Sequence, residues 1–348
     1  MLKLHTSAGS IRLQKAEKAE NQVLLSIKSN TDAIAVEEPI LEKIEKTYGV
    51  KSGGNLSVLS EFGAIEIQTA EQENVEVVIT KESKSKSVEA VEKMLADFEL
   101  AFEQKGADVH IRGTFKHDRE HWWKQFNLAK IHFLITVPQQ YNVDLNTLSS
   151  DISVANLTGD VRVKTSGGSL RFQSITGPVL GHTSGGSIEA VNVTGGVQVR
   201  TSGGSIRFGA IRGFISGRTS GGSIKAVDCN QGIDVRTSGG SIWLGGIGRN
   251  VTARTSGGSI QTVMKTQPQS ECSLRTSGGA ITCTLMPDVA VEVEAKASGG
   301  RVSTDFAVES TIQGKVPKNR LEGSINGGGP LLKLRTSGGN IHLQKASN

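Results

Sequence analysis

Residues 161–175 read VRVKTSGGSLRFQSI, and residues 197–211 read VQVRTSGGSIRFGAI. The shared core, Thr-Ser-Gly-Gly-Ser, begins at Thr165, Thr183, Thr201, Thr219, Thr237 and Thr255, always 18 residues apart. Close variants begin at Thr276 (TSGGA), Ala297 (ASGGR) and Thr336 (TSGGN). One turn upstream, TLSSDI at 147–152 keeps the register without the glycines. A fixed, short period is the signature of a repeat architecture. On both sides of the glycine pair, apolar and polar residues alternate, as strands require. Gly-Gly accepts backbone angles that other residues resist, so the chain can turn there. Each repeat then supplies two short strands, and stacked repeats bury one continuous apolar interior. The sequence therefore predicts an all-β parallel β-solenoid (β-helix) of stacked ~18-residue coils with one short helical insertion. An antiparallel meander, with each SGG as a hairpin turn, is the competing arrangement. Near-identity from coil to coil favours like-on-like stacking. A left-handed hexapeptide helix is set aside, because the apolar positions do not recur every six residues.

Size and composition agree. The chain has 348 residues, 42 of them Gly, with 36% hydrophobic and 4% aromatic residues, which suits a thin, turn-rich β structure. Charge is uneven: residues 1–110 carry 13 Lys and Arg against 19 Asp and Glu, and residues 111–348 carry 26 against 15. The regular coils are basic, which suits an acidic partner. Three cysteines, Cys229, Cys272 and Cys283, lack the number and spacing of a disulfide framework or zinc site, and read as buried thiols. No signal peptide and no transmembrane segment is read, so the sequence predicts a soluble chain, cytoplasmic as written.

Three parts follow. Residues 1–46 form an N-terminal extension resembling a terminal coil plus linker. Its LKLHTSAGSIRLQKA at 2–16 matches LKLRTSGGNIHLQKA at 332–346 in 11 of 15 positions. That segment reads either as a duplication remnant or as a docking strand for an open solenoid end. Strands are expected at 23–28 and 33–36, and helix at 37–46. Residues 47–145 form the irregular N-terminal part of the solenoid. It holds a degenerate coil (KSGGNLSVL, AIEIQT), strands at 75–80, 98–102 and 109–113, and a helix at 87–97 with Val88, Val91, Met94 and Leu95 on one face. Residues 146–348 form the regular TSGGS-repeat β-solenoid. There the TSGG spacing grows to 21, 21 and 39 after Thr255, and the added residues are assigned to loops.

Candidate chemistry is sparse. His117–His121 (HDREH) matches a zinc-protease pattern by letters, but lies in a loop between strands, where two imidazoles do not share one helix face. The stretch 116–130, with Trp122 and Trp123, reads as aromatic cover for the stack, with a membrane interface as the sharper alternative. The SGG turns lack the Gly-Lys-Ser of a phosphate loop. One inward Thr per coil is not a flat ice-binding array. Single acids such as Glu189, Asp228 and Asp234 do not make the clustered carboxylates of a polysaccharide lyase. No catalytic residue, metal ligand or cofactor is assigned.

One ladder stands out. The residue before each Thr, or before Ala297, is Lys164, His182, Arg200, Arg218, Arg236, Arg254, Arg275, Lys296 and Arg335. Its neighbour Val163 points inward, so this position points out. The plain reading is a solvated β face with long stems shielding the sheet. The sharper reading is a track for a polyanion: an acidic glycan, anionic lipid headgroups or nucleic acid.

The runs SGGNLSVLSEFGAIEIQT, ITVPQQYNVDLNTLSSDISVANLTGDVRVKTSGGSL and INGGGPLLKLRTSGGNIHL, with the TSGGSI coils between them, resemble the bacterial β-strand-repeat "putative adhesin" family, a domain of unknown function. The resemblance covers roughly residues 47–346. It implies a β-solenoid and the label of an adhesin or cell-envelope protein; the chain as a whole is read as a non-enzymatic, elongated binding or structural surface. The resemblance brings no catalytic residues. A carbohydrate-active enzyme and an end-to-end self-assembling scaffold are the alternatives.

Overall fold

The computed structural model describes residues 40–83, 91, 94–116, 129–310 and 317–347. They form two long sheets of 14 and 15 strands. In the middle of the chain consecutive strands alternate between the sheets, and each pairs in parallel with the strand one repeat away. Val161–Lys164 pairs with Val179–His182 in one sheet, and Leu170–Ile175 with Ile188–Val193 in the other. Val163, Gly181 and Val199 lie in one file, as like-on-like stacking requires. A meander would have made these strands antiparallel.

The period works because each residue of TSGGS has one job. The Thr side chains point inward: Thr165, Thr183 and Thr201 are almost fully buried. Thr201 Oγ1 donates to the Gly186 carbonyl of the preceding coil at 2.8 Å and accepts from the Gly204 amide of its own turn at 3.3 Å. A buried hydroxyl is thus satisfied while it ties two coils together. The second glycine lies directly on the carbonyl below: a Cβ at Gly204 would sit 2.1 Å from Gly186 O, whereas one at Gly203 would sit 3.2 Å from Gly185 O. The last Ser accepts from the next coil, as when Ser205 N donates to Ser187 Oγ at 3.3 Å.

Between the sheets, large residues alternate with small ones coil by coil. Phe172, Ala190, Phe208 and Ala226 occupy one inward file, and Val163, Gly181, Val199 and Gly217 occupy the facing one. A Cβ on Gly181 would approach the Phe172 ring at 3.1 Å, and one on Gly217 the Phe208 ring at 2.9 Å. Each ring fills the space its smaller neighbours leave, so the packing repeat is two coils rather than one. Each fully buried Val, Leu, Ile or Phe contributes about 1.5–3 kcal/mol.

Strict alternation would send Ile175 outward after inward Phe172, yet Ile175 is fully buried. A left-handed residue absorbs the extra position. Asn156, Ser174, Asn192, Ala210, Asp228 and Gly246, again 18 apart, all have φ between 51° and 69°. This is a left-handed kink repeated in register up the stack.

The ends break chain order. At the N-terminal end, coil 55–70 lies between coil 142–155 and the outer strands Asp108–Phe115 and Ala129–Pro138. At the C-terminal end, coil 331–345 stacks directly on coil 272–285, and coil 291–304 lies outside it. This corrects the expectation of a sequential stack loosened by loops: the 39-residue spacing reflects a coil that returns to fill an inner slot. Antiparallel strands then cover the stack. Phe98–Lys105 covers Asp108–Phe115, Asn74–Ser83 covers Ala129–Pro138, and Arg320–Ile325 covers Val291–Ala297.

The helix expected at 37–46 is also corrected where it is described. Ile40–Gly49 is a strand antiparallel to Asn74–Ser83. Ile44 and Tyr48, both packed against the core, are four apart, a spacing that suits a helix face and a strand face equally. Backbone pairing to the neighbouring edge decides in favour of strand. Residues 91 and 94–96 are helical, with Val91, Met94 and Leu95 buried. The rest of the helix at 87–97, the segment 2–16, the strands at 23–28 and 33–36, and His117–His121 with Trp122 and Trp123 lie outside the described residues. No helix among the described residues is long and apolar enough to cross a membrane.

Candidate functional site

In the strands facing the SGG corner, alternation fixes which residues face out. Val161 and Val163 are buried, and Arg162 and Lys164 are exposed. Parallel pairing in exact 18-residue register then puts every residue before the inward Thr into a single row. Lys164 pairs with His182, His182 with Arg200, Arg200 with Arg218, Arg218 with Arg236, and Arg236 with Arg254. The row continues from Arg254 to Arg275, but its next rung is Arg335, and Lys296 follows. All nine residues singled out from the sequence are therefore neighbours in one file, with the last two exchanged relative to chain order. Arg320 extends the row on the antiparallel strand beyond Lys296. Sequence reasoning missed it, since no TSGG turn marks that strand. At the other end Asn146 and Leu59 end the basic run.

Neighbouring strands lie about 4.8 Å apart, so each adjacent pair of unit charges repels by roughly 1 kcal/mol in water. Few carboxylates relieve this. Arg236 bonds Asp234 at 3.3 Å, and Arg335 bonds Glu294 at 2.5 Å. Lys333, in the parallel row, shares Glu294 at 3.2 Å. The hydrogen bond from Arg335 holds the Glu294 carboxyl below the usual carboxylate range, against the opposing effect of its partial burial. Its contribution to stability is present above the unfolded-state pKa and is lost as pH falls through the lowered folded value. No other member of the nine has an ion-pair partner within 4 Å among the described residues. The row is a stripe of mostly uncompensated cations on long stems.

The remaining candidates fall elsewhere. Glu189 lies on the opposite sheet beside Arg207 at 3.5 Å, and Asp228 lies 3.3 Å from Lys265. That sheet also carries Trp243, folded over Gly245, with Lys225 Nζ 4.9 Å from its ring centroid, a cation–π pair not picked out from the sequence. The three cysteines are free and buried. Burial pushes the Cys229 thiol up to about 11, and raises Cys272 and Cys283 as well, which suits packing and not nucleophilic work.

A family model described as Toastrack DUF4097 matches residues 54–344. Three solved structures are similar over 88% of this chain. A "putative adhesin" from Bacteroides fragilis is 11% identical over 98% of its own length, with a TM-score of 0.37. A "putative cell adhesion protein" from Clostridium sporogenes is 13% identical over 100% of its length, with a TM-score of 0.21. A "putative lipid binding protein" from Parabacteroides distasonis is 11% identical over 98% of its length, with a TM-score of 0.27. No curated protein matches the chain.

Proposed function

The chain belongs to the Toastrack DUF4097 family, and on that footing we propose that it is a non-catalytic parallel β-solenoid whose basic file binds a linear polyanion. The role is adhesin-like: an elongated surface that holds an acidic polymer at the cell envelope. One observation carries the reading. Nine basic residues stand on consecutive rungs, and only Arg236 and Arg335 have a carboxylate partner among the described residues. A bound polyanion relieves the mutual repulsion along the row and releases its own counterions.

The end-to-end scaffold finds less support. In the outermost C-terminal coil, strand Val291–Ala297 is already paired on both sides, which leaves, among the described residues, only the three-residue strand Val302–Thr304 as an edge for a further coil.

The test is binding of immobilised polymers (a sulfated glycan, a polyuronate, a polyphosphate and single-stranded nucleic acid) at two salt concentrations. Binding to at least one is expected, weakening as salt rises. Arg200→Glu combined with Arg236→Glu should reduce both the affinity and its salt slope, by about 0.7–0.9 slope units per lost contact. Binding that is absent, or that the double variant leaves unchanged, contradicts the reading.

A further inference from the structure

The basic file is not uniform along its length. Where coil 331–345 slips between its neighbours, the sheet surface dips twice. One depression, of about 180 Å³, is lined by Arg275, Lys296 and Arg335 with the hydroxyls of Ser298 and Ser337. The other, of about 220 Å³, is lined by Arg254, Arg275, Lys333 and Arg335, with Ser273 and Glu271. The two share Arg275 and Arg335. Glu294 already holds Arg335 and Lys333. Each depression is therefore bounded by two cations without a carboxylate partner within 4 Å: Arg275 and Lys296 in the first, Arg254 and Arg275 in the second.

Resting on the polyanion reading above, we propose that these depressions form a paired oxyanion subsite that seats two successive phosphate groups of a linear chain, with Arg275 between them. Three arguments meet. First, the two cations flanking Arg275, Arg254 and Lys296, stand one and two rungs from it, roughly 5 and 10 Å at the strand spacing. That is the reach of adjacent charged groups along a polymer. Second, the first depression is lined by several kinds of donor: two guanidinium groups, one of them held by Glu294, an ammonium and the hydroxyls of Ser298 and Ser337. Such a set suits a tetrahedral oxyanion better than a planar carboxylate, which two parallel donors satisfy. Third, both depressions lie where the coil order departs from chain order, so that Arg275, Arg335 and Lys296 come together from coils of unlike sequence. Glu294 tunes the site by keeping Arg335 partly engaged.

The experiment is calorimetric titration of the full chain with tripolyphosphate and with orthophosphate at matched ionic strength. Thermal melts verify that each variant is folded. Tripolyphosphate should bind at least about tenfold more tightly than orthophosphate. Arg275→Ala should weaken it by about tenfold or more, as expected for a lost charge-assisted pair. Lys296→Ala should weaken it severalfold, Glu294→Gln should strengthen it, and Arg200→Ala should leave it within twofold. If Arg200→Ala weakens tripolyphosphate as much as Arg275→Ala does, the track stands and the subsite falls. An Arg275→Ala variant that binds as well as the parent overturns the subsite too. So does a trimer of uronic acid that outcompetes tripolyphosphate, because the site is then one for carboxylates. Absence of binding to every long polyanion removes the track and the subsite together.

Discussion

Between residues 161 and 236 every strand finds its sheet neighbours 18 positions away, whereas toward the ends the neighbour lies up to 87 positions away, as for Val58 and Leu145. In the middle, stacking is enforced locally: a Thr hydroxyl, a glycine against a carbonyl, and a ring over a small residue act between consecutive coils. At the ends the same coil shape is used, but the partner is chosen by tertiary fit. Three of the four outermost coil strands are covered by antiparallel ones, Val302–Thr304 being the exception, and this cover limits pairing of the stack with other chains. The regular middle therefore supplies a long flat face. The irregular ends supply closure and, at the C-terminal end, two depressions in the basic file.

The largest expected effect separates the two glycines of a turn. Gly204→Ala drives a Cβ to 2.1 Å from the backbone of the coil below, and should cost about 3 kcal/mol or more; Gly203→Ala, at 3.2 Å, should cost about 1 kcal/mol. Chemical denaturation of the two variants measures both. Equal losses would mean that the coils are not seated carbonyl on glycine. Next, Gly217→Val should cost about 1–3 kcal/mol by crowding the Phe208 ring, and adding Phe208→Leu should restore part of the loss. Purely additive losses would break the claim of a two-coil packing repeat. The smallest effect is a gain. Ala210 holds φ 51° without glycine's freedom, so Ala210→Gly should raise stability by up to about 1 kcal/mol. A thermal melt suffices, and a lower midpoint would deny the left-handed kink.

Much of the middle was legible in the sequence, because there the period is the structure. Val163, Gly181 and Val199 follow each other in one file as their spacing requires, and the Thr of each TSGGS turns inward as the flanking alternation requires. The nine-residue basic row follows from the same register. What escaped was information that the period does not carry. The order of Arg275, Arg335 and Lys296 depends on which coil fills the slot beside coil 272–285, and the two candidates, 291–304 and 331–345, carry much the same turn. Ile44 and Tyr48 fit either a helix or a strand. The left-handed position that recurs every 18 residues from Asn156 to Gly246 was not read from the sequence, because Ser174 and Ala210 do not mark it by residue type.

The most direct test is a distance. Ser166 and Ser256, both exposed and 90 residues apart, stand five repeats from each other in the regular middle. With spin labels at S166C and S256C, in a chain whose three native cysteines are replaced, one strand spacing per repeat places the labels about 24 Å apart. An antiparallel meander spends two strands on each repeat and places them about 48 Å apart. A distribution centred near the shorter distance is the expected result; one near the longer would contradict the stack and, with it, the continuous row of cations.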